Sequence, residues 1–552
     1  MSNRTLRGFA VAALLGLAAA ACTDPAVAPK STVTTANIFT DKASYQEFLA
    51  RIYAGLIVTG QQGPAGNPDI GGIDEGFSEY LRLYWYLQEV PTDEAVIGWN
   101  DPGLPDLNRG TWGSDNNMVN AMYYRVYFQV MMANEFLRQT VDDSLDARGQ
   151  SDMKNVVHQY RAEARFLRAL SYAHGIDLFG NIPLVTDADP LGATPPQQAT
   201  RDSIYKWVVS ELNAVKDSLP APGASTYGRA TPDAANMLLA ELYLNAGVYT
   251  GTADYADALA AAQAVATSGN YTLASNFRDN FTADNNLSPE MIFAAPQDGN
   301  HTQTWGGMTF VIHASCGGSM QASWFGMDYC WGGYRMKQQA YRWFGPGDSR
   351  GAMIYDSLAA YDSTKAARAR DSIAGKDPST WTNIDSTMSD SVSDIGNFER
   401  GAAYPKFTNK TSTGAGGQQL GMVDTDFPIF RLAEAYLIYA EANLRGGGGD
   451  ATTALNYVNA LRERAYGDNS HDLTAGQLTL DTLLAERGRE LMFEAKRRTD
   501  LVRYGLFQPN TYVWAWKGNT AGGTALPAGR DLYPLPATEL IANPNLTQNP
   551  GY

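Results

Sequence analysis

Two stretches of this chain concentrate the residue types that hold a sugar. Asp93 to Asn117 carries Trp99, Asn100, Asp101, Arg109, Trp112 and Asn116–Asn117, and His301 to Tyr334 carries Trp305, Trp324, Phe325, Tyr329, Trp331 and Tyr334 among glycines. Pyranose rings present flat C–H faces that stack on indole and phenol rings, while their hydroxyls need amides, carboxylates or guanidinium groups. Both stretches lie outside any helical periodicity, where a large aromatic has less reason to be core. Trp99, Trp112, Trp305 and Trp324 are the first candidates for ligand contact, with Asn100, Arg109, Tyr329 and Trp331 beside them. The competing reading makes most of these rings buried loop anchors and leaves only a few to touch ligand.

Other chemistries find weaker support. Glu486, Glu490 and Glu494 fall at helical spacing, as the carboxylate pair of a glycosidase would need. Arg489 and Arg497 lie alongside them, and Arg161, Arg165 and Arg168 form a stripe of their own, so ion pairing explains these charges better. Neither HExxH nor GxSxG occurs, and the five histidines are scattered, with none in metal-ligand spacing to a cysteine. No catalytic residue, metal site or cofactor is expected. An exported helical glycoside hydrolase or lyase remains the alternative, with carboxylates assembled across loops. A pure scaffold is a third reading, but such proteins show tandem repeats.

The chain opens with Arg4 and Arg7, then an uncharged apolar run from Phe9 to Ala21 that ends at Cys22. That run is too short to span a bilayer and has the length of a signal h-region. Small residues directly before Cys22 suit cleavage and lipidation there, although Ala19 stands where Leu is usual. Residues 1–21 therefore read as a signal peptide and 22–36 as a lipidated cysteine with a flexible tether. Export makes an oxidising environment, in which Cys316 and Cys330 are spaced to close a short loop worth about 3 kcal/mol as a disulfide; two free buried thiols are the other reading. The net charge of −16 repels phosphate backbones and so argues against nucleic acid. Hydrophobic residues make up 44% of the chain, enough for a folded core.

The elements that must position the two aromatic stretches are helices. Asp41–Ile57, 116–140 and 156–179 carry apolar faces at helical spacing, the last stopping at Gly180 before Pro183. In 230–266 and 427–465, small residues alternate with large ones in a shared pattern: Tyr243 precedes Ala258 as Tyr439 precedes Ala454. These resemble tetratricopeptide helix pairs, scattered rather than tandem. Between them, residues 267–425 are rich in Gly, Ser, Asn and Trp and read as a loop-rich insertion with short helical stretches such as 354–370.

Several ordered motifs give the chain a family resemblance. Glu163–Ala169 leads into Asp177–Val185. Phe427–Glu434 precedes Tyr439–Ala442, and Glu486–Leu491 runs on to Arg503. The end reads Leu532–Pro536 and then Asn543–Tyr552 (NPNLTQNPGY). Together they make the chain similar to the SusD/RagB family of outer-membrane nutrient-binding lipoproteins; residues 300–425 match no motif. The resemblance implies a mostly α fold on tetratricopeptide-like helix pairs, a single domain over 37–552 with scaffold at 37–266 and 427–552 and a ligand-binding insertion at about 267–426. It also implies a non-catalytic receptor, lipid-anchored in the outer membrane and probing outward, that captures oligosaccharides or peptides for a SusC-like TonB-dependent transporter. Family members that bind glycans place aromatics in broadly the two zones named above.

Overall fold

The computed structural model describes residues 38–552 apart from Ala65, Asn67, Leu191, Ala193, Ser319 and 356–391. The leader, the tether, Cys22 and the stretch 354–370 from 356 onward lie outside the described residues. Two compact units divide at Tyr45. In the first, Phe39 stacks on Tyr45 with centroids 4.8 Å apart. The second, from Gln46 to Tyr552, holds everything discussed below except the first residues of the first helix.

Helices dominate: α1 (Ala43–Ala54), α2 (Tyr80–Glu89), α3 (Leu104–Arg109), α4 (Asn117–Gln139), α5 (Lys154–Phe179), α6 (Arg201–Val215), α7 (Pro232–Leu244), α8 (Tyr255–Ala266), α9 (Gly307–Ala314), α10 (Leu432–Leu444), α11 (Ala451–Tyr466), α12 (Leu480–Leu491), α13 (Arg497–Arg503) and α14 (Ala537–Ala542). Short strands β1 (Ala95–Ile97), β2 (Met291–Ala295), β3 (Tyr334–Met336) and β4 (Phe427–Arg431) pair antiparallel as β1–β3 and β2–β4. Successive helices pack in pairs, α4 on α5, α5 on α6, α7 on α8 and α10 on α11, with α8 also on α10. The two patterned segments thus form helix pairs that dock on each other, although the long insertion separates them in sequence. No described helix is long and apolar enough to cross a membrane.

α5 ends where the sequence places it. Gly180 has φ +70°, and a Cβ there would meet the Leu532 side chain at 2.7 Å, so the last turn needs glycine. The last carbonyls of α5, which have no helical partner, are satisfied by the C-terminal motif: Tyr533 N–H donates to Leu178 O (2.8 Å) and Asn549 Nδ2 to Phe179 O (2.8 Å). The terminal Asn-Pro segment is therefore a clasp across the scaffold.

The charged motifs occupy the core. Arg350 donates to Glu486 (2.7 Å), Asp348 (2.8 Å) and Glu490 (3.0 Å). Arg431 joins Glu490 (2.7 Å), Glu494 (2.7 Å) and Glu290 (3.3 Å), and Arg464 also binds Glu490. The neighbour pairing expected along α12 holds for Arg489 with Glu486 (2.7 Å). Arg497 instead reaches Asp93 (2.7 Å), and Glu494 stands beyond the end of α12, so most partners are distant in sequence. Burial pushes the Glu486 and Asp500 carboxyls up, but facing guanidiniums (Arg350 and Arg489; Arg487 and Arg503) outweigh it and hold both at about 2. At Glu79 and Glu94 burial prevails instead, and the carboxyls are pushed up to about 7.

These shifts set a pH profile. Between about pH 2 and 4.5 the unfolded chain binds more protons at Glu486 and Asp500 than the native one, so their contribution is lost as pH falls through that window. Between about pH 4.5 and 7 the native chain holds protons on Glu79 and Glu94 that the unfolded one has released, so their contribution is lost as pH rises. Thermal melts from pH 2 to 8 should peak near pH 5. A midpoint rising steadily to pH 8 would contradict this assignment.

Candidate functional site

The β1–β3 ladder brings the two aromatic stretches together. Ala95 pairs with Met336, Val96 with Arg335 and Ile97 with Tyr334, and Gly98 N–H donates to Gly333 O at 3.0 Å. Continuing this register sets Trp99 against the segment carrying Trp331. Its indole Nε1–H donates to Trp331 O (3.2 Å), and the two ring centroids lie 6.2 Å apart. Gly333 permits the approach, since a Cβ there would come within 2.7 Å of the Trp99 ring.

Around this pair the rings continue. Trp305 lies 6.1 Å and Tyr329 6.4 Å from Trp331, centroid to centroid. Trp99, Trp305 and Trp331 are half-buried and Tyr329 is 50% exposed, so the group presents ring surface to solvent. Beneath it, His313 of α9 stacks on Trp331 at 4.7 Å. Its Nδ1–H donates to Tyr329 O (2.9 Å), and burial pushes its pKa down, so it is a neutral support. Arg82 of α2 lies 5.6 Å from the Trp99 ring and 4.5 Å from Phe310, and donates to Trp305 O at 2.7 Å. Glu79 fixes both helices below the rings. Its carboxylate accepts Leu81 N–H (2.8 Å) and Arg82 N–H (2.7 Å) at the start of α2, and Gly307 N–H (2.6 Å) at the start of α9.

Cys316 and Cys330 are joined, with Cα atoms 5.0 Å apart. The bond sits directly before Trp331, whose N–H donates to His313 O (2.8 Å). Loops fixed before binding lose less entropy on binding. Replacing both cysteines with serine should weaken glycan affinity several-fold, checked by calorimetric titration. Unchanged affinity would remove the bridge from the account.

Not every residue singled out from the sequence joins this group. Asn100 is exposed beside Trp99, and Arg109 is half-buried in the last turn of α3. Asn116 caps α4, accepting from Met118 and Val119 N–H. Trp112 is fully buried: its Nε1–H donates to the Tyr552 hydroxyl (2.6 Å) and its ring packs 4.9 Å from Tyr533. The C-terminal clasp covers it, so it offers no face to a ligand. Trp324 is 7% exposed, its ring 6.2 Å from Tyr355. Both are anchors, the competing reading given for such rings. Trp112→Phe should lower stability by about 1–2 kcal/mol through the lost hydrogen bond and packing while leaving glycan affinity unchanged, as melts and titrations will show. Arg82 and Glu79 were not singled out, because nothing local to them signals contacts more than 220 residues away in sequence, and His313, although inside the second stretch, carries no local sign of supporting a ring.

Residues 249–552, over half of the chain, match the SusD family, and residues 93–244 match a family described as starch-binding and associating with the outer membrane. The starch-binding protein SusD of Bacteroides thetaiotaomicron is 34% identical over 520 residues, which cover 91% of each chain. The chain belongs to the SusD family. Solved structures agree on the fold of this SusD-family chain. Surface glycan-binding protein A of B. thetaiotaomicron in complex with laminarihexaose is 20% identical with a TM-score of 0.65, covering 92% of this chain and 99% of that one. A laminarin-binding SusD-like protein is 21% identical with a TM-score of 0.65, covering 93% and 100%. The mostly helical, tetratricopeptide-like architecture expected from the sequence is therefore established. These relatives are named for binding, not for catalysis.

Proposed function

We propose that this chain is a non-catalytic receptor for glucan oligosaccharides, bound on the ring platform of Trp99, Trp305, Tyr329 and Trp331. The observation that carries the reading is the convergence of these four rings from two loops onto one part-exposed surface, held from below by Arg82, Glu79 and His313. Indoles arranged at different tilts suit the successive faces of a curved sugar chain. The relative named for starch binding and the neighbour bound to laminarihexaose support glucan as the class. Hydrolysis is disfavoured by the carboxylates themselves. Glu486, Glu490 and Glu494 are buried and ion-paired, so none of these three is a free acid at a surface.

The receptor is held on the outer face of the outer membrane by acyl chains on Cys22 and passes its ligand to a TonB-dependent transporter in that membrane. The leader and the outer-membrane description of the matched family support this placement. Cys22→Ser should move the protein from the membrane to the soluble fraction; continued membrane retention would refute the anchor. For function, the soluble chain Thr23–Tyr552 is mixed with maltoheptaose and laminarihexaose and analysed by native mass spectrometry. Retention of intact sugar without products is expected, and accumulating products would overturn the receptor reading.

A further inference from the structure

On elements that contribute nothing to the ring platform, a groove of about 710 Å³ runs along α4, within the usual size range of ligand sites. One wall is the tyrosine row of α4. Tyr123 and Tyr127 have centroids 4.8 Å apart, Tyr123 and Tyr124 6.2 Å, and Met131 follows at 40% exposure. Two of the hydroxyls are spent on the walls, Tyr127 donating to Pro183 O (2.8 Å) and Tyr124 bonding Thr538 Oγ1 (2.7 Å), which holds those rings in place. The facing wall is α14 and the clasp behind it, with Asn543 and Asn545 tied to Pro196 O and Pro195 O.

Two charged side chains on this groove keep unspent polar atoms. Arg138 uses Nη1 on Glu135, but its Nε and Nη2 are buried without a partner. Glu539, opposite, makes no side-chain hydrogen bond or ion pair among the described residues, and burial pushes its carboxyl up. A buried donor without an acceptor is costly, and a half-buried carboxylate beside tyrosine rings without a donor is a second cost. One ligand with many hydroxyls answers both.

We infer that this groove is a second oligosaccharide site, in which a stretch of glucan lies along Tyr124 and Tyr127, its hydroxyls donating to Glu539 and accepting from Arg138. A wholly apolar partner would leave the Glu539 carboxylate and the two spare Arg138 donors unmet. A proline-rich peptide suits the rings, but such a peptide has few donors for Glu539. The ligand class rests on the receptor reading above; the groove itself does not. Two sites on one receptor would hold a long chain by more than one segment, so that release from one does not free it.

The test uses the soluble chain Thr23–Tyr552 in four forms: unchanged, Trp99→Ala with Trp331→Ala, Tyr124→Ala with Glu539→Gln, and all four substitutions. Saturation-transfer difference NMR is recorded with maltoheptaose, laminarihexaose and a proline decapeptide, after melts confirm that each form is folded. If Tyr124→Ala disturbs the fold, Glu539→Gln alone replaces that pair. The expected result is glucan signal in the unchanged chain, binding at least about 30-fold weaker but still present in the platform variant, and none in the fourfold variant. Complete loss in the platform variant would overturn the groove and leave the platform standing. Complete loss in the groove variant alone would overturn the platform and leave the groove. Groove signal from the decapeptide but not from glucan would overturn the proposal, and no glucan signal in the unchanged chain would overturn both readings.

Discussion

Trp331→Ala should lower affinity for maltoheptaose or laminarihexaose by about 30-fold, the largest effect of any single ring. Trp331 is the centre of the platform: Trp99, Trp305, Tyr329 and His313 all lie within 6.4 Å of it. Central aromatics in a contact surface typically cost about 2 kcal/mol or more when truncated, which is about 30-fold in Kd. Alanine also removes the ring on which His313 stacks, so the neighbouring faces lose their spacing. Trp331→Phe should recover part of the affinity, since a smaller ring keeps one stacking face. Because Trp331 is only partly buried, its loss should shift the melting midpoint less than loss of a fully buried ring such as Trp112. Calorimetric titration alongside thermal melts separates the two effects. A fall in stability with unchanged affinity would make Trp331 an anchor like Trp112.

Arg431→Met should destabilise the fold by about 3–5 kcal/mol without changing the affinity of the molecules that remain folded. Arg431 is 1% exposed and answers three carboxylates at once: Glu494 through Nε and Nη2, Glu490 and Glu290 through Nη1. Removing it leaves those charges buried with Arg464, Arg350 and Lys406, which are already engaged. Methionine fills much of the volume, so the loss measured is mainly that of charge and hydrogen bonding. Arg431→Lys should fall between, since an ammonium cannot form the forked contact with Glu494. Denaturant titration reads the cost directly. A loss under about 1 kcal/mol would mean that the network reorganises around the gap.

The helical frame was legible because it is written in local periodicity and in stop signals such as Gly180. The buried charge network was legible in kind but not in partners, since α12 pairs mostly with Arg350, Arg431 and Arg464 from distant segments. The platform was half legible. Trp99, Trp305, Tyr329 and Trp331 stood out as aromatics without a helical excuse, yet the same signal marked Trp112 and Trp324. What separates them is long-range: Trp112 is covered by a chain end 440 residues away, and the β1–β3 register delivers Trp99 to Trp331. No local pattern encodes either event. Arg82, Glu79 and His313 escaped notice for the same reason, because a supporting role exists only once the rings have met.

The central claim, that a glucan chain lies on the Trp99–Trp305–Tyr329–Trp331 surface, is tested most directly by a crystal structure of the chain soaked with maltoheptaose and, separately, laminarihexaose. The account predicts pyranose rings stacked at about 4 Å on Trp331 and on at least one of Trp99 and Trp305. Sugar bound elsewhere, with these indoles bare, would contradict it.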